Sequence, residues 1–226
     1  MNPSSKFDMQ EHITSPAKKQ FYVNQLFATI APRYDLVTML LSCGQDKRWK
    51  RKLVAMADVQ PQHKVLDLAC GTGDITFLLA RQLGNQGRAI GVDITPEMVE
   101  RARRKGLREP RVHFETGDIC QLAYPDFSFD RITVGYGMRN VPEISRLLEK
   151  AFRLLKPDGQ FLSLDFGKPE GQLYRRACLG YLSATGSALG WLLHRDPDLY
   201  RYIAESIKHY PGQKGSSEDD GSRGFC

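Results

Sequence analysis

The sequence predicts an α/β fold in which a mostly parallel β-sheet is covered by helices on both faces. After Asp58, short runs of apolar and β-branched residues alternate with longer stretches of helical periodicity, and this alternation is typical of parallel sheets. The first apolar run ends in a glycine turn that leads into a helical stretch. Hydrophobic residues make up 41% and charged residues 26% of the 226 residues, as in soluble globular domains.

Each predicted element follows from its own pattern. The strands are predicted at Val65–Ala69, Ala89–Val92, Val112–Phe114, Arg131–Val134 and Phe161–Leu164. The intervening helices are predicted at Ile75–Leu83, Met98–Leu107 and Ile144–Leu155. Upstream of the first strand, the segment from Lys18 to Val54 has the periodicity of two helices with a break near Ser42–Gly44. The sheet is therefore preceded by a helical cap.

The pattern places one main domain at residues 21–213, with the helical cap at 21–57 and a lid insertion at 170–207. A flexible tail is expected at residues 1–20 and a disordered, Gly/Ser-rich tail at residues 214–226. Residues 177–194 carry no charged side chain, which approaches the length of a membrane span. Serine, threonine and glycine interrupt this segment, so a buried or lid helix is favoured over a membrane-surface role.

The chain is basic, with 32 lysines and arginines against 26 aspartates and glutamates. This charge favours anionic surfaces without selecting among them. Basic clusters at Lys47–Lys52 and Arg101–Arg111 would contact anionic lipid or form solvated helix faces. The five cysteines show no C-x-x-C spacing, so neither a disulfide framework nor a metal site is expected. Because the first 20 residues lack an apolar signal region, the expected location is cytoplasmic.

The strongest local signal is the segment Val65–Asp74, an apolar strand that runs into a glycine turn and then a helix. Gly71 and Gly73 would let the backbone approach a ligand, and the helix offers free N–H groups at its start. Asp93 ends the next strand, 20 residues beyond Gly73, where a carboxylate can accept both hydroxyl protons of a ribose. A nucleotide-like ligand is predicted, although the glycines alone would also suit a simple tight turn.

The charges around this turn favour S-adenosylmethionine over a dinucleotide. Thr76 stands where a dinucleotide-binding turn would have its third glycine. Asp67 and Asp74 bring negative charge near the turn, which repels phosphate and suits a sulfonium and an α-amino group. Beyond the third strand, Asp118 would bond an adenine amino group and Ile119 would pack on its ring, unless this triplet with Gly117 is only a surface turn.

Several separated stretches resemble one family. The chain is similar to class I S-adenosylmethionine-dependent methyltransferases, with their Rossmann-like fold, and more narrowly to the ubiquinone/menaquinone biosynthesis C-methyltransferase family, from about Phe27 to Gln213. The segments that carry the narrower resemblance are Tyr34-Asp35, Leu41-Ser42, Arg48-Trp49, Gly137–Val141, Arg153–Gly159, Leu164–Pro169, with Asp165 where Glu is usual, and Tyr200–Ile207.

The resemblance implies a site and a reaction. It places the cofactor on Thr72, Asp93, Asp118, Ile119 and Gly135, in addition to Asp67, Gly71 and Gly73 of the turn. It implies ring C-methylation of a polyprenylated quinol, with demethylmenaquinol favoured over the benzoquinol of the ubiquinone pathway.

The resemblance also implies catalytic roles. Arg139 would position a water or stabilise a developing phenolate, unless it forms a salt bridge at the rim, and Asn140 would fix the quinol oxygen. Tyr34 and Asp35 would close the pocket, with Asp35 accepting a proton or capping a helix. The apolar faces at 21–30 and 179–193 would line a channel for the isoprenoid tail or pack in the core.

The chain departs from the family after Tyr210–Gln213. The family continues with a helix and a β-hairpin, whereas this chain has Lys214–Cys226. The fold is therefore expected to lack the last C-terminal strands, which leaves Phe161–Leu164 at a sheet edge. Expected partners are the quinol, the inner face of the membrane as a peripheral contact, and a second copy or a quinone-synthesis complex, with no nucleic acid. Methylation of RNA or another small molecule, and a non-catalytic cofactor-binding scaffold, remain as alternatives.

Overall fold

A computed structural model describes residues 16–167 and 171–209. The chain divides into two compact units, one spanning Ser15–Asp165 and the other containing the described residues from Phe166 onward. The first unit holds the helical cap and the whole described sheet. The second unit holds two helices.

The helical cap consists of three α-helices and a short 3-10 turn. Helix α1 spans Pro16–Ile30, the 3-10 turn Ala31–Arg33, α2 Tyr34–Leu41 and α3 Asp46–Met56. The predicted break near Ser42–Gly44 is confirmed, and the structure adds a second break where Pro32 cannot continue the first helix. The expected flexible tail at 1–20 is wrong for residues 16–20, which form the first turns of α1; residues 1–15 lie outside the described residues.

The described sheet has five parallel strands in the order β3-β2-β1-β4-β5. The strands are β1 Lys64–Leu68, β2 Arg88–Asp93, β3 Val112–Thr116, β4 Phe129–Gly135 and β5 Leu155–Leu164. The connecting helices are α4 Asp74–Ala80, α5 Pro96–Lys105 and α6 Ile144–Leu154, with a second 3-10 turn at Met138–Asn140. This order confirms the predicted α/β fold, in which the chain reverses direction across the sheet at β1.

Right-handed crossovers place α4 and α5 on one face of the sheet and α6 on the other. On the first face, a buried cluster joins α3 and α4 to the sheet through Leu53, Ile75, Leu79, Val65 and Ala89. Alternate strand residues point to opposite faces, so the completely buried Leu66 and Ile132 belong to the core of the second face. Both faces are covered, as the apolar strands require.

The last described strand begins earlier than predicted. The pattern placed a helix through Leu155 and a strand from Phe161, but β5 already begins at Leu155, which pairs with Phe129. The register shifts before Arg131 pairs with Gln160, because the intervening segment contains Pro157 and the positive-φ residue Asp158. β5 lies at an edge of the described sheet.

In the second unit, α7 spans Gln172–His194 and α8 spans Arg201–His209. The close approach of α7 to the segment that follows it depends on glycines, since a Cβ on Gly190 would lie 2.3 Å from the Asp196 carbonyl oxygen. Several large apolar side chains of α7, including Trp191 and Leu192, are exposed, so of the two predicted alternatives, a buried helix or a lid helix, the structure does not support the buried one. The lid role predicted for this region stays a prediction.

Among the described residues, no single helix combines the length and the apolar composition needed to cross a membrane. The segments Lys18–Leu41 and Asp46–Met56 satisfy both criteria only when joined, with a bend of 93° between them. The C-terminal residues at which the family hairpin was expected to be missing lie outside the described residues.

Candidate active site

A cavity of about 430 Å³ opens at the carboxyl ends of β1, β2 and β4. This is the edge of the sheet where ligands bind in open α/β folds, because the chain reverses direction there. Seven of the predicted site residues line it: Tyr34, Gly71, Asp93, Asp118, Ile119, Gly135 and Asn140. Asp35, Asp67, Thr72, Gly73 and Arg139 are not among its described lining residues.

The turn after β1 depends on glycine at two positions. Gly71 has a φ of 56° and open space around it, with a Tyr34 ring carbon 3.8 Å from where a Cβ would lie. Gly73 has a φ of 85°, and a Cβ there would meet the Phe114 ring at 2.6 Å. Gly71 therefore leaves the backbone open to a ligand, whereas Gly73 is required for packing of the turn.

Asp93 connects the end of β2 to the turn. Its Oδ2 accepts a hydrogen bond from the Gly71 backbone N–H at 2.8 Å, and its Oδ1 accepts one from the Thr95 N–H at 2.9 Å. Burial raises the pKa of this carboxyl, while the bonds from the backbone oppose that rise. The side chain is thus held at the cavity wall, and its remaining lone pairs can accept ligand hydroxyls.

Asp118 and Ile119 lie in the cavity wall beyond β3. One carboxylate oxygen of Asp118 accepts the Cys120 N–H at 2.9 Å, and the other accepts from the Gln121 amide at 2.5 Å. These bonds fix the carboxylate at the cavity. The buried Ile119 supplies an adjacent apolar surface.

Gly135 and Tyr136 shape the opposite wall. A Cβ at Gly135 would lie 2.1 Å from Ile75 Cδ1, so a larger residue fits only if the Ile75 side chain moves. Tyr136 follows with a φ of 60°, which is unusual for a residue with a side chain. Burial raises the pKa of its phenol above the ordinary range. Such a constrained backbone is typical of functional sites.

Asp67 supports the site from below rather than lining it. It is buried within β1 and accepts hydrogen bonds from the hydroxyls of Thr76 at 2.6 Å and Thr133 at 2.8 Å. Burial raises its pKa to about 6 although both hydroxyls act against the rise. The structure therefore makes Asp67 a link between β1, β4 and α4, and does not place it as a direct cofactor ligand.

The charge argument for the turn needs one correction. Asp74 is paired with Lys50 at 2.9 Å and with Lys105 at 3.1 Å. Burial acts to raise the pKa of Asp74, but the two lysines outweigh it and the pKa lies below its ordinary value. Two cations thus compensate this carboxylate. The carboxylates that line the cavity itself are Asp93, Asp118 and Glu143, the last of which lies 4.0 Å from Arg146. Sequence spacing gave no sign of either lysine partner.

Thr72 and Asp35 join the turn to the cap. The Thr72 hydroxyl donates to Asp35 Oδ1 at 2.5 Å, and Lys105 Nζ lies 2.6 Å from Asp35 Oδ2. Lys50 further pairs with Asp46 at 3.2 Å. Alternating charges therefore run from Asp35 through two lysines and Asp74 to Asp46. The residue at the N-cap position of α2 is Arg33, and Asp35 lies within the first turn, so its alternative role as the helix cap is not supported.

Arg139 forms the salt bridge that was one of its two predicted roles. Its guanidinium pairs with Asp165 and donates to the Tyr136 carbonyl at 2.9 Å, and its backbone N–H donates to Asp165 at 3.2 Å. Both side chains are buried, at 6% and 5% exposure. Asp165 was not predicted as the partner of Arg139. The two residues follow the ends of the neighbouring strands β4 and β5, and this brings them together.

Other cavity residues were not singled out by the sequence. Val23 and Phe27 of α1 line the cavity, four residues apart on one helix face, and lie within the apolar stretch that was expected to line a channel or pack in the core. The cavity residues that no motif indicated are Gln20, Ile94, Thr95, Met98, Cys120, Gln121, Pro142, Glu143 and Arg146. Tertiary packing brings these together, so no local pattern marks them.

Comparison with known proteins identifies the family. The profile described as the ubiE/COQ5 methyltransferase family matches residues 15–219. A demethylmenaquinone methyltransferase of Symbiobacterium thermophilum is 37% identical over 205 residues, covering 87% of this chain and 82% of that protein. The ubiquinone/menaquinone biosynthesis C-methyltransferase UbiE of Yersinia pestis is 38% identical over 211 residues, covering 90% and 84%.

Solved structures agree on the fold. The [4+2]-cyclase SpnF matches with a TM-score of 0.63 and 18% identity, covering 84% of this chain and 90% of that chain. The YcgJ protein of Bacillus subtilis matches with a TM-score of 0.54 and 22% identity, covering 76% of this chain and 87% of that chain. At these identities the likeness concerns the fold alone. Because the family profile matches most of its length and the solved structures share its fold, the chain belongs to the ubiE/COQ5 methyltransferase family and is a methyltransferase with a Rossmann-like fold.

Proposed function

We propose that the protein transfers a methyl group from S-adenosylmethionine to a ring carbon of a polyprenylated quinol, with demethylmenaquinol as the favoured acceptor. The observation that carries the proposal is Asp93, a buried carboxylate held at the cavity wall beside the open Gly71 turn. The names of the relatives support the acceptor class. The benzoquinol of the ubiquinone pathway is the second acceptor to test.

The described residues fit the cofactor. Asp93 offers acceptors for the two ribose hydroxyls, and Asp118 offers an acceptor for an amino group. Ile94, Met98 and Ile119 supply apolar surface for an adenine ring. The carboxylates also suit a cationic sulfonium, which supplies a methyl group already activated for transfer.

The protein then needs mainly to align the acceptor and exclude water. Val23, Phe27 and Val141 form an apolar part of the cavity wall that suits a quinol ring and the start of its prenyl tail. Asn140 and the phenol of Tyr34 are the polar groups on the same wall that can bond a quinol oxygen. The acceptor loses its phenolic proton as the ring carbon attacks the methyl group, so one modest proton acceptor suffices.

Arg139 is better placed to position this wall than to act as a base. Arginine stays protonated in proteins, and its guanidinium is engaged with Asp165 and the Tyr136 carbonyl. We propose that it fixes the segment from Tyr136 to Asn140 and so orients the groups that contact the quinol. Its predicted direct role toward a phenolate stays a prediction.

The test is a methylation assay with methyl-labelled S-adenosylmethionine and either quinol in detergent. We expect label in the lipid phase with demethylmenaquinol, and the ratio of kcat/KM values to rank the two acceptors. Asp93→Ala should weaken cofactor binding by ~1 to 3 kcal/mol because the ribose bonds are lost. The matched control is Asp126→Ala, at an exposed carboxylate paired with Arg153 outside the cavity.

Three outcomes would contradict the proposal. Cofactor binding with no label in either quinol would favour the non-catalytic scaffold, and equal cofactor affinity in wild type and Asp93→Ala would refute the placement of the ribose. Label transferred to RNA in preference to both quinols would move the reaction to another substrate class.

A further inference from the structure

The two basic clusters of the sequence meet in one surface groove outside the cavity. This groove, which we call the basic groove, has a volume of about 750 Å³. Six cationic side chains line it, from α3, from the end of α4 and from the end of α5: Lys47, Lys50, Arg51, Arg81, Lys105 and Arg108. Asp74 and Glu109 are its acidic members, and Phe77 and Leu78 complete the lining.

The acidic side chains of the groove are already engaged. The two oxygens of Asp74 bond Lys50 and Lys105, and those of Glu109 bond Arg111. Within the described part of the chain, no ion pair involves Lys47, Arg51, Arg81 or Arg108. All four are exposed. The groove therefore presents four uncompensated positive charges to whatever lies against it.

An apolar side chain projects beside these charges. Leu107 is 83% exposed and stands between Lys105 and Arg108, in the turn that ends α5. Transfer of an exposed leucine side chain from water into an apolar phase is favourable. The cations around it favour contact with an anionic surface. An anionic phospholipid bilayer provides both an anionic surface, in its phosphate headgroups, and an apolar phase, in the acyl chains that lie within reach of one side chain below them.

We propose that the basic groove and Leu107 form a docking surface for an anionic phospholipid bilayer. The proposal rests on the proposed function, in which the acceptor is a membrane lipid that the enzyme has to reach. A single-stranded nucleic acid fits less well, because such sites combine cations with exposed aromatic stacking platforms. The one aromatic ring that lines the groove, Phe77, is half-buried and packs edge-on against Phe114 at 5.4 Å.

The groove permits a test with a matched control on a single helix. Lys47→Glu/Arg51→Glu reverses two charges of α3 inside the groove, and Arg48→Glu/Lys52→Glu reverses two exposed charges of the same helix that do not line it. Both variants change the net charge equally. None of the four residues touches the cavity or the ion pairs of Asp74.

Binding is measured by co-flotation with vesicles of phosphatidylcholine, with and without phosphatidylglycerol, in the absence of quinol and cofactor. We expect binding only to the anionic vesicles. Lys47→Glu/Arg51→Glu should weaken it by roughly tenfold or more, Leu107→Ser should weaken it by several-fold, and the control variant should bind as wild type does. Turnover of a quinol dissolved in detergent should stay unchanged, while turnover of the quinol in anionic vesicles should fall with the groove variant.

Several results would overturn the inference. These are equal binding to neutral vesicles, equal losses in the groove and control variants, or unchanged vesicle binding by the groove variant. Tighter binding of single-stranded RNA than of anionic vesicles would assign the groove to a different partner. Because the vesicles contain no quinol, loss of the proposed methylation alone would leave the docking result standing.

Discussion

The buried pair of Arg139 and Asp165 yields the sharpest test of how the reaction wall is held. Asp165→Asn keeps the shape of the side chain and an acceptor for the Arg139 N–H, but it removes the charge opposite the guanidinium. With both partners almost completely buried, breaking such a pair costs about 3 to 5 kcal/mol. For a domain of this size, that corresponds to a Tm lower by roughly 6 to 20 °C.

The double variant Arg139→Met/Asp165→Asn removes the guanidinium as well. Replacement of a whole buried ion pair by well-packed hydrophobic residues of similar volume is often neutral or stabilising. Met at position 139 is such a residue, and Asn at position 165 keeps an acceptor for the backbone N–H at position 139, so we expect the double variant to recover most of the lost stability. The double variant also lacks the guanidinium that holds the Tyr136 carbonyl, so a positioning role of Arg139 predicts that kcat stays low even after stability has recovered. Urea unfolding followed by circular dichroism gives the free energies, and the labelled assay gives kcat and KM.

One outcome separates structure from chemistry. A double variant that unfolds, binds cofactor and turns over like wild type would refute the positioning role, because neither the guanidinium nor its partner would then be needed. Equal stability of wild type and Asp165→Asn would instead refute the burial argument itself.

Three further predictions follow from the site. Gly73→Ala should destabilise the turn by at least ~1 kcal/mol, because φ is 85° and the new Cβ would press on Phe114; wild-type cofactor affinity and Tm in this variant would contradict it. For Asp67, the folded pKa of about 6 lies above the unfolded value, so this group costs stability as pH rises from about 4 to 6. Asp67→Asn should therefore gain about 2 kcal/mol relative to wild type between pH 4 and pH 7. Urea titrations at the two pH values that gave a constant difference between the two proteins would disprove this. Lys105→Met should lower cofactor affinity several-fold in calorimetric titrations, because it releases the Asp35 carboxylate that holds Thr72. The control Arg104→Gln, at an exposed pair with Glu100, should leave the affinity unchanged. Equal effects of the two variants would argue against a link from Lys105 to the cofactor.

Local patterns were enough to predict the sheet and its glycine turn. The predicted strands are short runs of mostly apolar or β-branched residues that alternate with helical stretches, and the run before Gly71 ends where the chain turns toward α4. Asp93 was predictable because its spacing from the turn reflects the length of one strand–helix–strand unit. Its position at the cavity wall is what that spacing predicted.

The partners of charged residues were not predictable in the same way. Lys50 and Lys105 lie 24 and 31 residues from Asp74 along the chain, and only the packing of α3 and α5 around α4 brings them to it. The same holds for Asp165, which meets Arg139 because β4 and β5 are neighbours. A sequence shows the charge of a carboxylate but not which cations lie beside it. The negative charge that Asp74 contributes at the turn was therefore overestimated.

The row of alternating charges that ends at Asp35 has unequal exposure along its length. Asp35 and Lys105 are 39% and 33% exposed, whereas Lys50 and Asp46 are 8% and 5% exposed. Mobile ions screen the outer contacts far more than the buried ones, so rising ionic strength should release the cap from its Asp35 end first. Heating has the opposite tendency, because the dehydration penalty of charged groups shrinks at higher temperature. Higher ionic strength should therefore weaken, and higher temperature should strengthen, the charged contacts that hold the cap at the entrance to the cavity.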